Sequence, residues 1–233
     1  MKAVEIDSSD AQYIRFRTSQ LLQDTNQHLL AKEILDEISE SSDEFGPVYV
    51  GLAECHLEEA RYYANEWLPQ MSYTHIEKTL FFCEKAMKID QMNSAIVWKV
   101  AADALTVCKR FELNDFELEI SSFFTKSGKT TKFNKNESLR LAITCYTRVI
   151  SLDPKSALAW SDLSLAYFRC DKFTEAVSCG KKALELDLNN NLVEQRSLLW
   201  NNLGVVAIPF DLSLAQHSFI EAIECNKGRF MII

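Results

Sequence analysis

Residues 157–190 read ALAWSDLSLAYFRCDKFTEAVSCGKKALELDLNN, and their spacing decides the fold. Counted from Ala157, Trp160, Leu163, Ser164, Tyr167, Ala176 and Ala183 stand at positions 4, 7, 8, 11, 20 and 27. Steps of three and four residues place these side chains on one face of a helix. Such a 34-residue pattern is that of two antiparallel helices. Ser164, Ala176 and Ala183 are small where the two helices approach closely. Trp160, Leu163 and Tyr167 are large enough to fill the space between this unit and the next. One pair cannot bury its apolar face alone and must stack on copies of itself.

These positions are those of the tetratricopeptide pattern, a 34-residue repeat. Working upstream, Ala142, Tyr146, Val149 and Pro154 fall at positions 20, 24, 27 and 32 of a preceding unit. Its second helix is expected over about 138–151, with Ser138 as N-cap and Pro154 closing the unit. The first helix of that unit is found at 94–111, where Trp98, Ala101, Ala102 and Leu105 fit positions 4, 7, 8 and 11. A loop at 112–137 therefore splits the repeat, and insertions of that length are often functional or disordered.

Downstream, Trp200, Leu203, Gly204 and Ala207 restart the pattern, followed by Ala215, Phe219 and Ala222 after a turn containing Pro209. Extra residues near Leu192 to Ser197 lengthen the link to this unit. Upstream, helices are expected at about 48–66 and 72–89, and at 10–24 and 27–39. In the last of these, Ala31, Leu35 and Ile38 fit positions 20, 24 and 27. The expected fold is all-α, a right-handed α-solenoid covering 1–233, with units 10–42, 46–91, 94–155, 157–190 and 197–226. First helices would line its concave side. No capping helix follows Ala222, so the chain is expected to be part of a longer protein or a truncated product.

Composition agrees. The chain has 233 residues, 47% of them hydrophobic, with only 6 Gly and 4 Pro. That supports a large core and argues against a turn-rich β fold. No apolar run suffices to span a bilayer, and Met1 to Asp7 lacks the apolar core of a signal peptide. A cytoplasmic or nuclear location is expected, without a membrane partner. The seven cysteines, 55, 83, 108, 145, 170, 179 and 225, form no C-x-x-C pair and read as reduced core thiols. His56, beside Cys55, reads as packing without companion ligands, and no metal or cofactor is expected.

Net charge is −8, unevenly spread. Residues 1–60 hold 13 acids against 4 Lys and Arg, and residues 126–155 hold 7 Lys and Arg against 2 acids. An acidic chain disfavours dedicated nucleic-acid binding. Lys126, Lys129, Lys132 and Lys135 remain a candidate contact for RNA or an acidic partner, although most such runs are solvated faces.

Catalytic patterns fail. Gly128-Lys129-Thr130 suggests a phosphate loop, but Phe123 stands where its first Gly belongs, and no buried strand is expected before it. His28, His56, His75 and His217 have no nucleophile at a telling spacing. Glu58 and Glu59, like Glu33, Asp36 and Glu37, read as exposed helix charges, so no enzyme is expected. A clamp for a C-terminal carboxylate, as in chaperone-binding repeats, needs converging Lys and Asn side chains. Asn202 is suitably placed, but Asp162, one repeat earlier, would repel a carboxylate.

Two stretches go beyond the generic repeat. Leu199-Trp200-Asn201-Asn202-Leu203-Gly204-Val205-Val206-Ala207 is followed by Leu214-Ala215-Gln216-His217-Ser218-Phe219-Ile220. Earlier come Gly51-Leu52-Ala53-Glu54-Cys55-His56-Leu57, Ile76-Glu77-Lys78 and Val97-Trp98-Lys99-Val100-Ala101-Ala102-Asp103-Ala104. In this order they resemble the tetratricopeptide scaffold subunit of the superkiller (Ski) complex. Gln216 and His217 discriminate, because the bare repeat asks for nothing particular there. The resemblance covers most of this chain but only the middle of a longer family protein, and the turn at Pro209 and Phe210 is shorter than in the family. It implies a non-catalytic scaffold joining an RNA helicase to WD-repeat subunits, in an assembly that feeds mRNA to the exosome for 3′-to-5′ decay. RNA contact by this chain would then be indirect or weak. The other reading is a generic peptide-binding adaptor, for example one associated with chaperones.

Overall fold

The computed structural model describes residues 8–41, 45–90, 94–108, 111, 118–125, 131–187 and 193–230. By its internal contacts the chain divides into two compact units, Met1–Lys135 and Asn136–Ile233. The fold is all-α, of the tetratricopeptide α-solenoid type.

The first unit is built from α1 (Ser8–Asp24), α2 (His28–Ser41), α3 (Gly46–Asn65), α4 (Pro69–Asp90) and α5 (Ala95–Val107). α1 packs on α2 and α3 on α4, while α5 lies against both α3 and α4. Ala31, Leu35 and Ile38, spaced by four and three residues, are fully buried on the inner face of α2. The contact with α3 is close: a β-carbon at Gly51 would stand 2.9 Å from Leu35 Cδ1.

Three of the helix pairs, α1 with α2, α3 with α4 and, in the second unit, Ala157–Arg169 with Phe173–Asp187, share one turn geometry. Asn26, Trp67 and Asp171 have φ of 59°, 56° and 58°, the left-handed region, just past the ends of the first helices. In each case the next amide reaches back to a carbonyl five residues earlier. Gln27 N donates to Leu22 O at 2.8 Å, Leu68 N to Tyr63 O at 2.9 Å, and Lys172 N to Tyr167 O at 3.0 Å. This closing bond satisfies a carbonyl the helix end leaves open and reverses the chain into the second helix.

The insertion is not a plain loop. β1 (Leu118–Ile120) and β2 (Thr131–Phe133) form an antiparallel hairpin, and α6 (Ser122–Thr125) is a single helical turn. Leu118 and Ile120 are buried, and Glu119 N donates to Glu77 Oε1 of α4 at 3.0 Å. Phe123 and Phe124 pack on the Trp98 ring, with centroids 6.1 and 5.9 Å away. The polar composition misled because alternate apolar residues in a three-residue strand carry little signal. A buried strand therefore does precede Gly128-Lys129-Thr130, but those three residues lie outside the described ones.

The second unit holds α7 (Lys135–Leu152), α8 (Ala157–Arg169), α9 (Phe173–Asp187), α10 (Val193–Ala207) and α11 (Leu212–Phe230). Two boundaries differ from expectation. α7 begins at Lys135, so Ser138 is a buried residue within the helix rather than its N-cap. α10 begins at Val193, so residues expected in the link form an extra helical turn. Ser156 does cap α8, its Oγ accepting from Ala159 N at 3.3 Å. Ser164 Oγ donates to Ala176 O at 2.6 Å, tying α8 to α9 where small residues let them meet. Ala176, Val177, Leu203, Val206, Ala207 and Ala215 form the core shared by α9, α10 and α11.

Candidate interaction grooves

Ala142, Tyr146, Leu163, Ala176, Ala183, Leu203, Gly204, Ala215 and Ala222 are buried. Trp98, Trp160, Tyr167, Trp200 and Phe219 are half-buried, and Pro154 is exposed. The half-buried set consists of rings laid across seams: Tyr167, Trp200 and Phe219 pack against one core and Trp160 against the neighbouring one. Of the four candidate lysines, Lys126 and Lys129 lie outside the described residues. Lys132 is exposed on β2, opposite Glu119 in the hairpin. Lys135 opens α7.

The first helices of the first unit line a groove of about 250 Å³, with Phe16 and Gln23 from α1, Val50 and Glu54 from α3, and Ile96 from α5. Gln23 Nε2 donates to Gly51 O at 3.0 Å and contacts Cys55 Sγ at 3.4 Å, fixing the groove floor. Burial raises the Glu54 carboxyl above its usual range, against the nearby Lys99, with Asp24 and Glu58 adding to the rise. Beside it, Asp103 receives Lys99 at 2.9 Å and Arg61 at 3.3 Å. This is an apolar trough with paired charges along it, suited to an extended or helical protein segment.

A second hollow of about 490 Å³ opens between α2 and α3, lined by His28, Leu29, Leu30, Glu59, Tyr62 and Tyr63 among others. Leu29, Leu30 and Tyr62 are exposed there. Its inner wall overturns the reading of His56 as a residue without companions. His56 Nδ1 lies 2.8 Å from Glu59 Oε2, His75 Nδ1 lies 3.0 Å from the same oxygen, and the two nitrogens are 3.1 Å apart. Lys32 Nζ reaches both Glu59 oxygens, at 3.0 and 2.9 Å. Glu59 is correspondingly not an exposed charge; its side chain is 18% exposed. Burial pushes its carboxyl up, but the hydrogen bonds from His56 and Lys32 and the charges of Lys32 and His75 outweigh that, holding it at about 2. Burial lowers His75, so its ring is neutral at pH 7. The signal was present in sequence: residues equidistant from the Asn65–Glu66 step meet across an antiparallel helix pair, and His56 and His75 are such residues.

In the second unit Asn202 Nδ2 donates to Ser161 Oγ at 3.0 Å, so the suspected clamp residue is already engaged. The cysteines are free thiols, with Cys170 and Cys225 half-buried and the others buried. Burial pushes Cys55 and Cys179 to about 11 and Cys145 to about 12, which leaves them protonated and poorly nucleophilic.

Against known families, residues 157–190 match the tetratricopeptide repeat model. The chain thus carries a tetratricopeptide repeat over those residues. It is similar to tetratricopeptide repeat protein 37 of Xenopus laevis, 26% identical over 247 residues. The alignment covers 98% of this chain and 15% of that protein. Superkiller complex protein 3 of Homo sapiens is 28% identical, over 93% of this chain and 14% of its own length. The chain thus spans about one seventh of the length of these curated relatives. Among solved structures, the thermophilic TPR protein TTC0263 of Thermus thermophilus superposes with a TM-score of 0.63 at 13% identity. That superposition covers 91% of this chain and 90% of TTC0263, a likeness of fold. A repeat protein of this kind serves protein–protein interaction. No helix among the described residues is long and apolar enough to cross a membrane.

Proposed function

We propose that this tetratricopeptide-repeat chain is a stretch of a superkiller-type scaffold. In this reading the helices serve one non-catalytic scaffold that holds an RNA helicase and WD-repeat subunits in the cytoplasm. Its assembly passes mRNA to the exosome for 3′-to-5′ decay. The similarity to superkiller complex protein 3, extending over 93% of the chain rather than over one repeat, carries the proposal. A match confined to the generic consensus would have been limited to the small and aromatic repeat positions. RNA itself is touched weakly, through Lys126, Lys129, Lys132 and Lys135, so its binding falls steeply with added salt and is lost when these lysines are replaced.

The test is reciprocal capture of the tagged chain with the helicase and WD-repeat subunits, quantified by mass spectrometry. Co-recovery of helicase with exosome components is expected. Recovery of chaperones without either would instead assign the groove on α1, α3 and α5 to a peptide adaptor.

A further inference from the structure

We propose that His56, Glu59 and His75 form a binding site for one divalent transition-metal ion, which pins α3 to α4 inside the second helix pair. These three residues offer donor atoms that lie close together and are largely shielded from water. The three separations, 2.8, 3.0 and 3.1 Å, make a nearly equilateral triangle. Donors placed about 2.0–2.2 Å from one ion lie roughly 3.0–3.5 Å apart, from right-angled to tetrahedral geometry. The triangle therefore needs only a few tenths of an ångström of expansion to close round an ion.

Hydrogen bonding alone does not satisfy this triangle. If both Nδ1 atoms carry protons, both donate to Glu59 Oε2 and two N–H groups crowd each other at 3.1 Å. If one is bare, its lone pair faces the carboxylate lone pairs. One side of the triangle is repulsive in either case. An ion at its face converts all three atoms to ligands at once.

The surroundings hold the donors in place. The His56 ring stacks on Phe82 with centroids 5.4 Å apart and planes within 5°. The His75 ring leans on Tyr63 at 5.2 Å. His56 and Glu59 are three residues apart on α3 and so share a helix face, the spacing by which helix pairs supply metal ligands to a bundle core. Lys32 holds both carboxylate oxygens, and its flexible stem lets the ammonium shift onto Oε1 when an ion takes Oε2. Glu59 also borders the hollow between α2 and α3, which gives an ion its route in and leaves room for a water as a further ligand. Two imidazoles and one carboxylate with an open position suit Zn²⁺, and the general affinity order favours it over Fe²⁺ and Mn²⁺.

The test uses the whole purified chain, stripped of metal by a chelator and titrated with Zn²⁺ against a chromophoric competitor. One equivalent should bind. His75→Gln and, separately, Glu59→Gln should each weaken binding by about tenfold or more, since even supporting residues of metal sites cost that much. Circular dichroism verifies that each variant folds. Co²⁺ titration of the unaltered chain needs no variant: it should give the visible bands of a nitrogen and oxygen site without thiolate charge-transfer absorption. Failure to take up one equivalent, an unchanged affinity in folded His75→Gln, or a thiolate band pointing to the cysteines would overturn the site.

Discussion

Gly204 of α10 faces the ring of Phe219 on α11 so closely that a β-carbon there would lie 2.6 Å from Cε1 and 2.8 Å from Cδ1. Glycine at position 8 of this repeat is thus a consequence of phenylalanine at position 24. Gly204→Val should destabilise the chain by about 1–3 kcal/mol through overpacking. Gly204→Ala should come out near neutral, its helix-propensity gain of about 1 kcal/mol offset by displacement of the ring. Adding Phe219→Leu to Gly204→Val should recover part of the loss. Urea unfolding of the unaltered chain, both Gly204 variants, Phe219→Leu alone and the double variant checks this, and an additive double mutant would show that the two residues do not compete for space.

Trp160 is half-buried against Ala157, Ala183 and Leu199, and its Nε1 donates to Pro154 O at 3.1 Å. Full burial would make truncation cost about 3–5 kcal/mol; half-burial reduces the expectation for Trp160→Ala to about 2–3 kcal/mol. Trp160→Phe, which keeps a ring but removes the bond, should lose about 1 kcal/mol. Equal losses for the two variants would mean that the ring does not fill the seam.

The helix pairs were legible because each keeps a 3.6-residue apolar period, and position 20 alanines mark the crossings. Ala176 and Ala215 sit at 0% and 1% exposure for that reason. Three features escaped. The hairpin around β1 and β2 rests on two three-residue strands, too short for alternation to register. The extra turn of α10 is polar and resembles a linker. The cluster of Lys32, His56, Glu59 and His75 unites residues from three helices, and only the α3 to α4 reversal brings His75 to His56. Local spacing exposes the His56 and Glu59 pair, and His75 joins it only when positions are counted outward from the turn at Asn65–Glu66.

Thiol reactivity should follow burial. Cys170 and Cys225 are half-buried, whereas Cys55, Cys83, Cys108, Cys145 and Cys179 are buried. Brief treatment with a maleimide at neutral pH should label Cys170 and Cys225 first and leave Cys145, pushed up to about 12 by burial, untouched. Peptide mass spectrometry reads the order. Early modification of Cys145 would contradict the packing of α7.

Acid should weaken the first unit through Glu59. Its folded value of about 2 lies below the usual 4.5, so its contribution is present above about pH 4.5 and fades as pH falls towards 2. The neighbouring hollow admits water, which screens the cluster and limits the effect to about 1–2 kcal/mol. Asp36, raised by burial and facing the same lysine, titrates in the opposite sense in both proteins compared. Stability should therefore be measured as the difference between the unaltered chain and Glu59→Gln, with chelator present. That difference should shrink between pH 4.5 and pH 2; a difference independent of pH would mean that the carboxylate is not held by the cations around it.

The end of α9 and the added turn of α10 are joined by one buried carboxylate. Asp187 is fully buried, and its Oδ1 accepts from Gln195 Nε2 at 2.8 Å while its Oδ2 accepts from Arg196 Nε at 3.2 Å. Arg196 also donates from Nη2 to the Asp187 carbonyl at 3.0 Å. Removing one partner of a buried pair strands the other charge, which costs about 3–5 kcal/mol when both are enclosed. The Arg196 side chain is 37% exposed, so Arg196→Ala should lose about 2–3 kcal/mol. Asp187→Asn keeps an acceptor and the carbonyl bond, and should lose less. Combining the two should cost less than the sum, because no charge is then left without a partner. If Arg196→Ala proves harmless, the bond from Gln195 suffices for Asp187, and the arginine has no structural part in holding α9 to α10.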